Sequence, residues 1–129
     1  MLLTFQNRFE QPIVDRIKIH SFRIDQHDRW KTGNSIQFYV NARTKQMRKF
    51  REDGECKGIQ PVEIKGIHST QGFFIRVFIG EGLSITCTEQ FAKNDGFASA
   101  EDMRQCLVAM HPDDHTLKGK VIHWTDFKY

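Results

Sequence analysis

The segment Lys18-Ile19-His20-Ser21-Phe22-Arg23 holds residue types from which an acyl- or phosphoryl-transfer site can be built. A desolvated lysine amine beside a second cation is pushed toward its neutral form and can take a proton from a hydroxyl nucleophile or an attacking water. An arginine stays charged, depresses such a lysine further and holds a phosphate or a developing oxyanion. In a regular strand Ser21 and Arg23 share one face, because side chains alternate with period two. Lys18, three residues before Ser21, then faces the other way, so the two meet only if the backbone is irregular near Lys18. Without that irregularity the segment is an exposed basic edge strand. His20 alternates away from Ser21 and reads as structural.

Asp95 lies in Lys93-Asn94-Asp95-Gly96-Phe97, a loop just before a helix. It is either an ordinary Asp-Gly turn residue or a carboxylate that pairs with Lys18, holds an attacking water or accepts from a base's exocyclic amine. Pairing would raise the Lys18 pKa and oppose Arg23. In Arg29-Trp30-Lys31 an indole stands between two cations. Such a triplet either stacks a base, worth about 1–3 kcal/mol, while neutralising its phosphate, or buries its indole as a plug. Arg43, Lys45, Arg48, Lys49 and Arg51 extend the basic stretch. Residues 1–51 carry eleven Lys or Arg against four Asp or Glu, 11 − 4 = +7, and residues 52–129 carry eight against twelve, 8 − 12 = −4. This polarity suggests a polyanionic partner met by one surface. His111-x-x-x-His115 has a spacing some metal sites use, but Pro112 prevents a regular helix from presenting both rings together, so no metal or cofactor is expected. Three cysteines without CxxC spacing signal neither a disulfide framework nor zinc, and read as buried thiols.

The elements that must position these groups fit one domain over residues 1–129. Strands are expected at 2–5, 18–24, 35–40, 61–68, 73–80 and 120–124, with the polar linker 69–72 turning a hairpin. A helix is expected from near Glu10, with Pro12 in its first turn and Phe9, Ile13, Val14 and Ile17 as its apolar stripe. Residues 43–50 suit one or two helical turns. The clearest helix is 100–110, with Ser99 as N-cap, a stripe of Met103, Cys106, Leu107 and Met110 facing the core, and Pro112 as a stop. Short strands without βαβ alternation predict an α+β fold, a mixed, mostly antiparallel β-barrel with two or three flanking helices. No run approaches a membrane span and the opening residues lack a secretory signal, so a cytoplasmic protein with no membrane partner is expected; its oligomeric state is left open, with a monomer assumed.

Thr4-Phe5, Arg8-Phe9, Ile13, Lys18 to Arg23, Lys31-Thr32-Gly33, the Asp95-Gly96-Phe97 turn and Gly119 to Thr125 together resemble the ASCH domain, across nearly the whole chain. The resemblance implies a PUA-like barrel. The family signature Gly-x-Lys-x-x-Thr/Ser-x-Arg falls on Arg16, Lys18, Ser21 and Arg23, with arginine standing where the family has glycine. It implies binding of RNA or a modified nucleoside in a cleft beside the motif. In one small branch it implies hydrolysis of acetylated cytidine by a Lys, a Thr and a Glu, which fall here on Lys18, Ser21 and, at or near its position, Asp95. On that footing Lys18 is general base, Ser21 nucleophile or water-orienting hydroxyl, Asp95 the partner acid or water holder and Arg23 the oxyanion or substrate contact. Arg29, Trp30, Lys31, Arg43, Lys45 and Arg48 are then the nucleic-acid contacts. The alternatives are a non-catalytic RNA-binding module and a metal-independent ribonuclease.

Overall fold

A computed structural model describes residues 1–68 and 75–129. Among them lie nine strands, three α-helices and one 3-10 turn, an α+β arrangement in two sheets. In the first sheet β1 (Leu2–Phe5) runs parallel to β3 (Ser35–Val40), and β3 also pairs antiparallel with β4 (Arg48–Lys49) and β5 (Gly54–Glu55). The second sheet is antiparallel throughout. It orders β2 (His20–Arg23), β9 (Thr116–His123), β6 (Gly58–Lys65), β7 (Arg76–Ile79) and β8 (Ser84–Thr86). Period-two burial is clean on β3, where Ile36, Phe38 and Val40 are buried and their neighbours are not. These side chains join Leu3 and Phe5 from β1, Val62 and Ile64 from β6, and Val121 and Ile122 from β9 in one apolar core. Among the described residues no closed barrel joins the two sheets.

Helix α3 (Ala100–Met110) begins and ends as the sequence predicts, and the Asp102 backbone N–H donates to Ser99 Oγ at 3.1 Å. Its stripe does more than fill the core: Met103 and Leu107 are buried, whereas Met110 is 58% exposed. The first helix departs from expectation. A 3-10 turn (Asn7–Phe9) leads into α1 (Glu10–Val14), which stops too early for Val14 and Ile17 to face inward, and both are exposed. The stop is a Schellman arrangement in which Arg16 N–H donates to Ile13 O at 3.1 Å and Ile17 N–H to Pro12 O at 2.8 Å, with Arg16 at φ +62°.

Residues 43–50 form turns and β4 instead of a helix, because Asn41 and Arg43 adopt left-handed φ of 56° and 66° and break any helical run. Helix α2 (Thr88–Asn94) and strand β8 were not signalled by periodicity. The expected linker 69–72 and the start of the expected strand at 73 lie outside the described residues; the rest of that strand is β7. Cys56 is buried as expected, Cys106 is half-buried and Cys87 is exposed. None of the described helices is long and apolar enough to cross a membrane.

Candidate functional site

The Schellman turn supplies the irregularity that the Lys-x-x-Ser-x-Arg spacing requires. After Arg16 reverses the chain, Lys18 N–H donates to Pro12 O at 3.0 Å and Ile19 N–H to Asn94 O at 2.9 Å, so Lys18 precedes β2 and does not obey its alternation. Lys18, Ser21, Arg23 and Asp95 consequently line one cavity of about 310 Å³. Phe5, Phe9, Phe22 and Phe97 give it aromatic walls, and Ile64, Met103 and Leu107 close its apolar side. Met110 and His111, at the C-terminal end of α3, also line it, and the exposure of Met110 marks where the cavity meets solvent.

Asp95 is brought to Lys18 by the turn that ends α2. Gly96 carries φ +92°, and a Cβ there would lie 2.9 Å from Lys18 Cδ and 3.0 Å from its Cβ, so the bare glycine backbone is the saddle on which the lysine stem rests. Lys18 is 2% exposed, and its ammonium donates to Asp95 O at 2.5 Å and to His20 O at 3.0 Å, with Asp95 Oδ2 at 3.5 Å. The amine also sits over the Phe9 ring, 4.8 Å from its centroid. Burial lowers the Lys18 pKa most, Asp95 raises it and Arg23 lowers it, and the balance falls at about 8. Desolvation is the largest of these effects and sets the direction of the shift, and Asp95 outweighs Arg23 among the neighbours.

Asp95 itself is 5% exposed. Desolvation would raise its pKa, but Lys18, His20 and the Phe22 N–H together hold it below the usual carboxylate range, so it is ionised. Its Oδ1 accepts from His20 Nδ1 at 2.8 Å and from Phe22 N at 3.1 Å. Arg23 Nε donates to Ser21 Oγ at 2.9 Å and an Arg23 terminal nitrogen to Thr4 O at 2.6 Å, with the guanidinium 5.0 Å from the Phe5 ring centroid. Ser21 therefore has an accepting lone pair occupied and its own proton available for transfer.

His20, read from the sequence as structural, is buried and stays off the cavity wall that Ser21 lines; it is a direct partner of Asp95, across 75 positions in the chain. The only signal in the sequence is its place inside the Lys-x-His-Ser-x-Arg segment. Tyr129 meets His20 Nε2 at 2.6 Å through its hydroxyl.

The expected nucleic-acid contacts do not line the cavity. Trp30 is 8% exposed in the core, because Asp25 accepts from the backbone N–H groups of Arg29 and Trp30 and folds the loop inward. It is a plug and offers no open stacking face. Lys31 pairs with Asp28 at 2.9 Å, and Arg48 pairs with Glu10. Arg29 and Arg43 line a separate surface depression with Met1, Leu2 and Thr4, and Lys45 is exposed on the turn beyond Arg43. The His115 ring lies 5.0 Å from that of His68, and His111 Nδ1 lies 3.7 Å from Asp114 Oδ2. Among the described residues no group of three or more His, Cys, Asp and Glu is placed to hold a metal ion. No family model, curated protein or solved structure matches this chain. The site's own geometry therefore carries the functional reading.

Proposed function

We propose that the protein is an ASCH-type, PUA-like domain whose cavity binds a modified nucleoside and hydrolyses its N-acyl amide, as on an acetylated cytosine. The observation that supports this is the convergence of Lys18, Ser21, Arg23 and Asp95 on one small aromatic-walled cavity, with a lysine whose pKa is about 8. At 310 Å³ the cavity is at the lower end of small-molecule sites, a size suited to one base and its acyl group and too small for a strand. Its phenylalanine walls suit a flat ring, and its polar end suits a carbonyl.

In this reading the neutral Lys18 amine takes the proton of the Ser21 hydroxyl, or of a water beside it, as that oxygen attacks the acyl carbon. The carbonyl π pair moves onto oxygen, and Arg23 stabilises that charge. When the tetrahedral intermediate collapses, the C–N bond breaks and the Lys18 ammonium returns its proton to the departing exocyclic amine. If Ser21 is the nucleophile, water then cleaves the acyl ester by the same proton route. Asp95 keeps the ammonium form stable between these transfers. About one molecule in ten holds Lys18 neutral at pH 7, enough for the cycle to run.

The test is release of free cytidine from N4-acetylcytidine, with Lys18→Ala and Ser21→Ala each abolishing it. No release from a panel of acylated nucleosides would overturn the proposal. A second reading, a non-catalytic RNA-binding surface, draws on Arg29, Arg43 and Lys45, for which no ion pair is present among the described residues. It expects salt-sensitive RNA affinity, weakened by Arg43→Glu with Lys45→Glu.

A further inference from the structure

Behind Asp95, on the side away from the cavity, lies a polar chain, buried at its His20 end, that the acyl-transfer chemistry does not use. His20 is fully buried, and Tyr129 and Asn94, like His20, are absent from the cavity wall. Proton positions along the chain follow from Asp95, an ionised carboxylate that can only accept, so neutral His20 carries its ring proton on Nδ1 and turns a bare Nε2 to the Tyr129 hydroxyl; the amides beyond Tyr129 fit this order. Gln90 Nε2 donates to Asn94 Oδ1 at 2.8 Å, which turns Asn94 Nδ2 toward Tyr129, and Nδ2 donates to the Tyr129 hydroxyl oxygen at 3.0 Å. The tyrosine's own proton is then left for His20 Nε2, 2.6 Å away. Nε2 accepts it, and the Nδ1 proton goes to Asp95 Oδ1 at 2.8 Å.

Tyr129 is held for this task. Gln60, on β6, accepts from Tyr129 N–H through Oε1 at 3.0 Å and donates to Tyr129 O through Nε2 at 3.1 Å. The same Oε1 accepts from His123 Nε2 at 2.9 Å. Lys18, Asp95, His123 and Tyr129 are the charged and titratable groups that face His20. His123, paired with His20 across β2 and β9, has its ring centroid 5.3 Å from that of His20. Burial and the neighbouring His20 drive the His123 pKa down to about 3, so it adds no charge. A second proton on His20 would place a cation against Lys18 and compete with it for Asp95.

We propose that Tyr129 is a positioning residue: by donating to His20 Nε2 it fixes His20 as the neutral Nδ1–H tautomer, which clamps one oxygen of Asp95 and leaves the other for Lys18. The importance of this clamp for turnover rests on the acyl-transfer reading, but its existence does not. A hydrogen bond to the neutral form of an imidazole disfavours the charged form, and burial acts in the same direction to lower the His20 pKa.

The experiment is ¹⁵N imidazole NMR of the full chain from pH 8 to pH 5, on the wild type, Tyr129→Phe and His20→Asn. The wild type is expected to show His20 neutral and protonated at Nδ1 throughout. In Tyr129→Phe the ring is expected to take up a proton within that range. A wild-type ring protonated at Nε2, or a Tyr129→Phe ring with unchanged tautomer and titration, overturns the proposal. The wild-type tautomer decides by itself if the variant does not fold. Kinetics on N4-acetylcytidine add a second readout. Tyr129→Phe should lower kcat about tenfold with KM within twofold, and adding it to His20→Asn, whose amide supplies the Asp95 donor without help, should cost nothing more. Absence of any wild-type turnover removes the acyl-transfer reading and leaves the clamp to stand or fall on the spectra.

Discussion

Replacing Asp95 with asparagine removes a charge while keeping the shape, and the structure says how the loss should depend on pH. Lys18 Nζ lies 3.5 Å from Asp95 Oδ2. At an effective dielectric near 20 a pair at that distance is worth about 5 kcal/mol, or roughly three units of lysine pKa. In Asp95→Asn the Lys18 pKa should fall from about 8 toward about 5. The sign follows from linkage. A lysine whose folded pKa lies below its unfolded value of about 10.4 costs stability as pH falls from the unfolded value to the folded one, and nothing further below that. For the wild type that loss is complete near pH 8; for the variant it continues to about pH 5. The stability gap between them should therefore widen by about 4 kcal/mol between pH 8 and pH 5. Asp95 does not blur this window, because its own depressed pKa acts only below about pH 4. Urea unfolding of both proteins at pH 8, 7, 6 and 5 measures the gap. A gap that stays constant across the series would refute the buried Lys18–Asp95 pair as the source of the lysine's charge at neutral pH.

Other substitutions test the scaffold. Arg16→Gly removes the left-handed strain at the Schellman turn, less the entropy glycine adds to the unfolded chain, and should raise stability by about 0.5–1 kcal/mol in urea. Gly96→Ala forces a side chain into φ +92° and against the Lys18 stem. It should cost at least about 2 kcal/mol and shift the Lys18 titration, whereas an unchanged titration would show that the stem is not seated there. Ser99→Ala loses the cap of α3 and should cost about 1 kcal/mol with no effect on Lys18.

How far the sequence reached can be judged from particular residues. Helix α3 was legible to the residue because cap, stripe and stop agree. That Lys18 and Ser21 share one cavity was legible as a condition, a backbone irregularity, and Arg16 meets that condition in the left-handed conformation usually left to glycine. Asp95 was legible as one of two alternatives. The Asp95–His20–Tyr129 chain was not, because its links span 75 and 109 positions and no local period encodes them. Helix α2 was missed because it is seven residues long, buries only Phe91 and Ala92, and has no side-chain cap. The basic stretch was legible only as charge density, which does not show that Arg48 pairs with Glu10 from elsewhere in the fold or that Lys31 is taken by Asp28 three residues before it.

The most direct test of the central claim combines two titrations on one sample. The pH dependence of kcat/KM for N4-acetylcytidine is set beside the Lys18 ammonium titration followed by NMR. If Lys18 is the base, activity rises with pH to a midpoint near 8, the NMR midpoint coincides with it, and Lys18→Met shows neither. A profile flat from pH 6 to pH 9, or activity retained in Lys18→Met, contradicts the account.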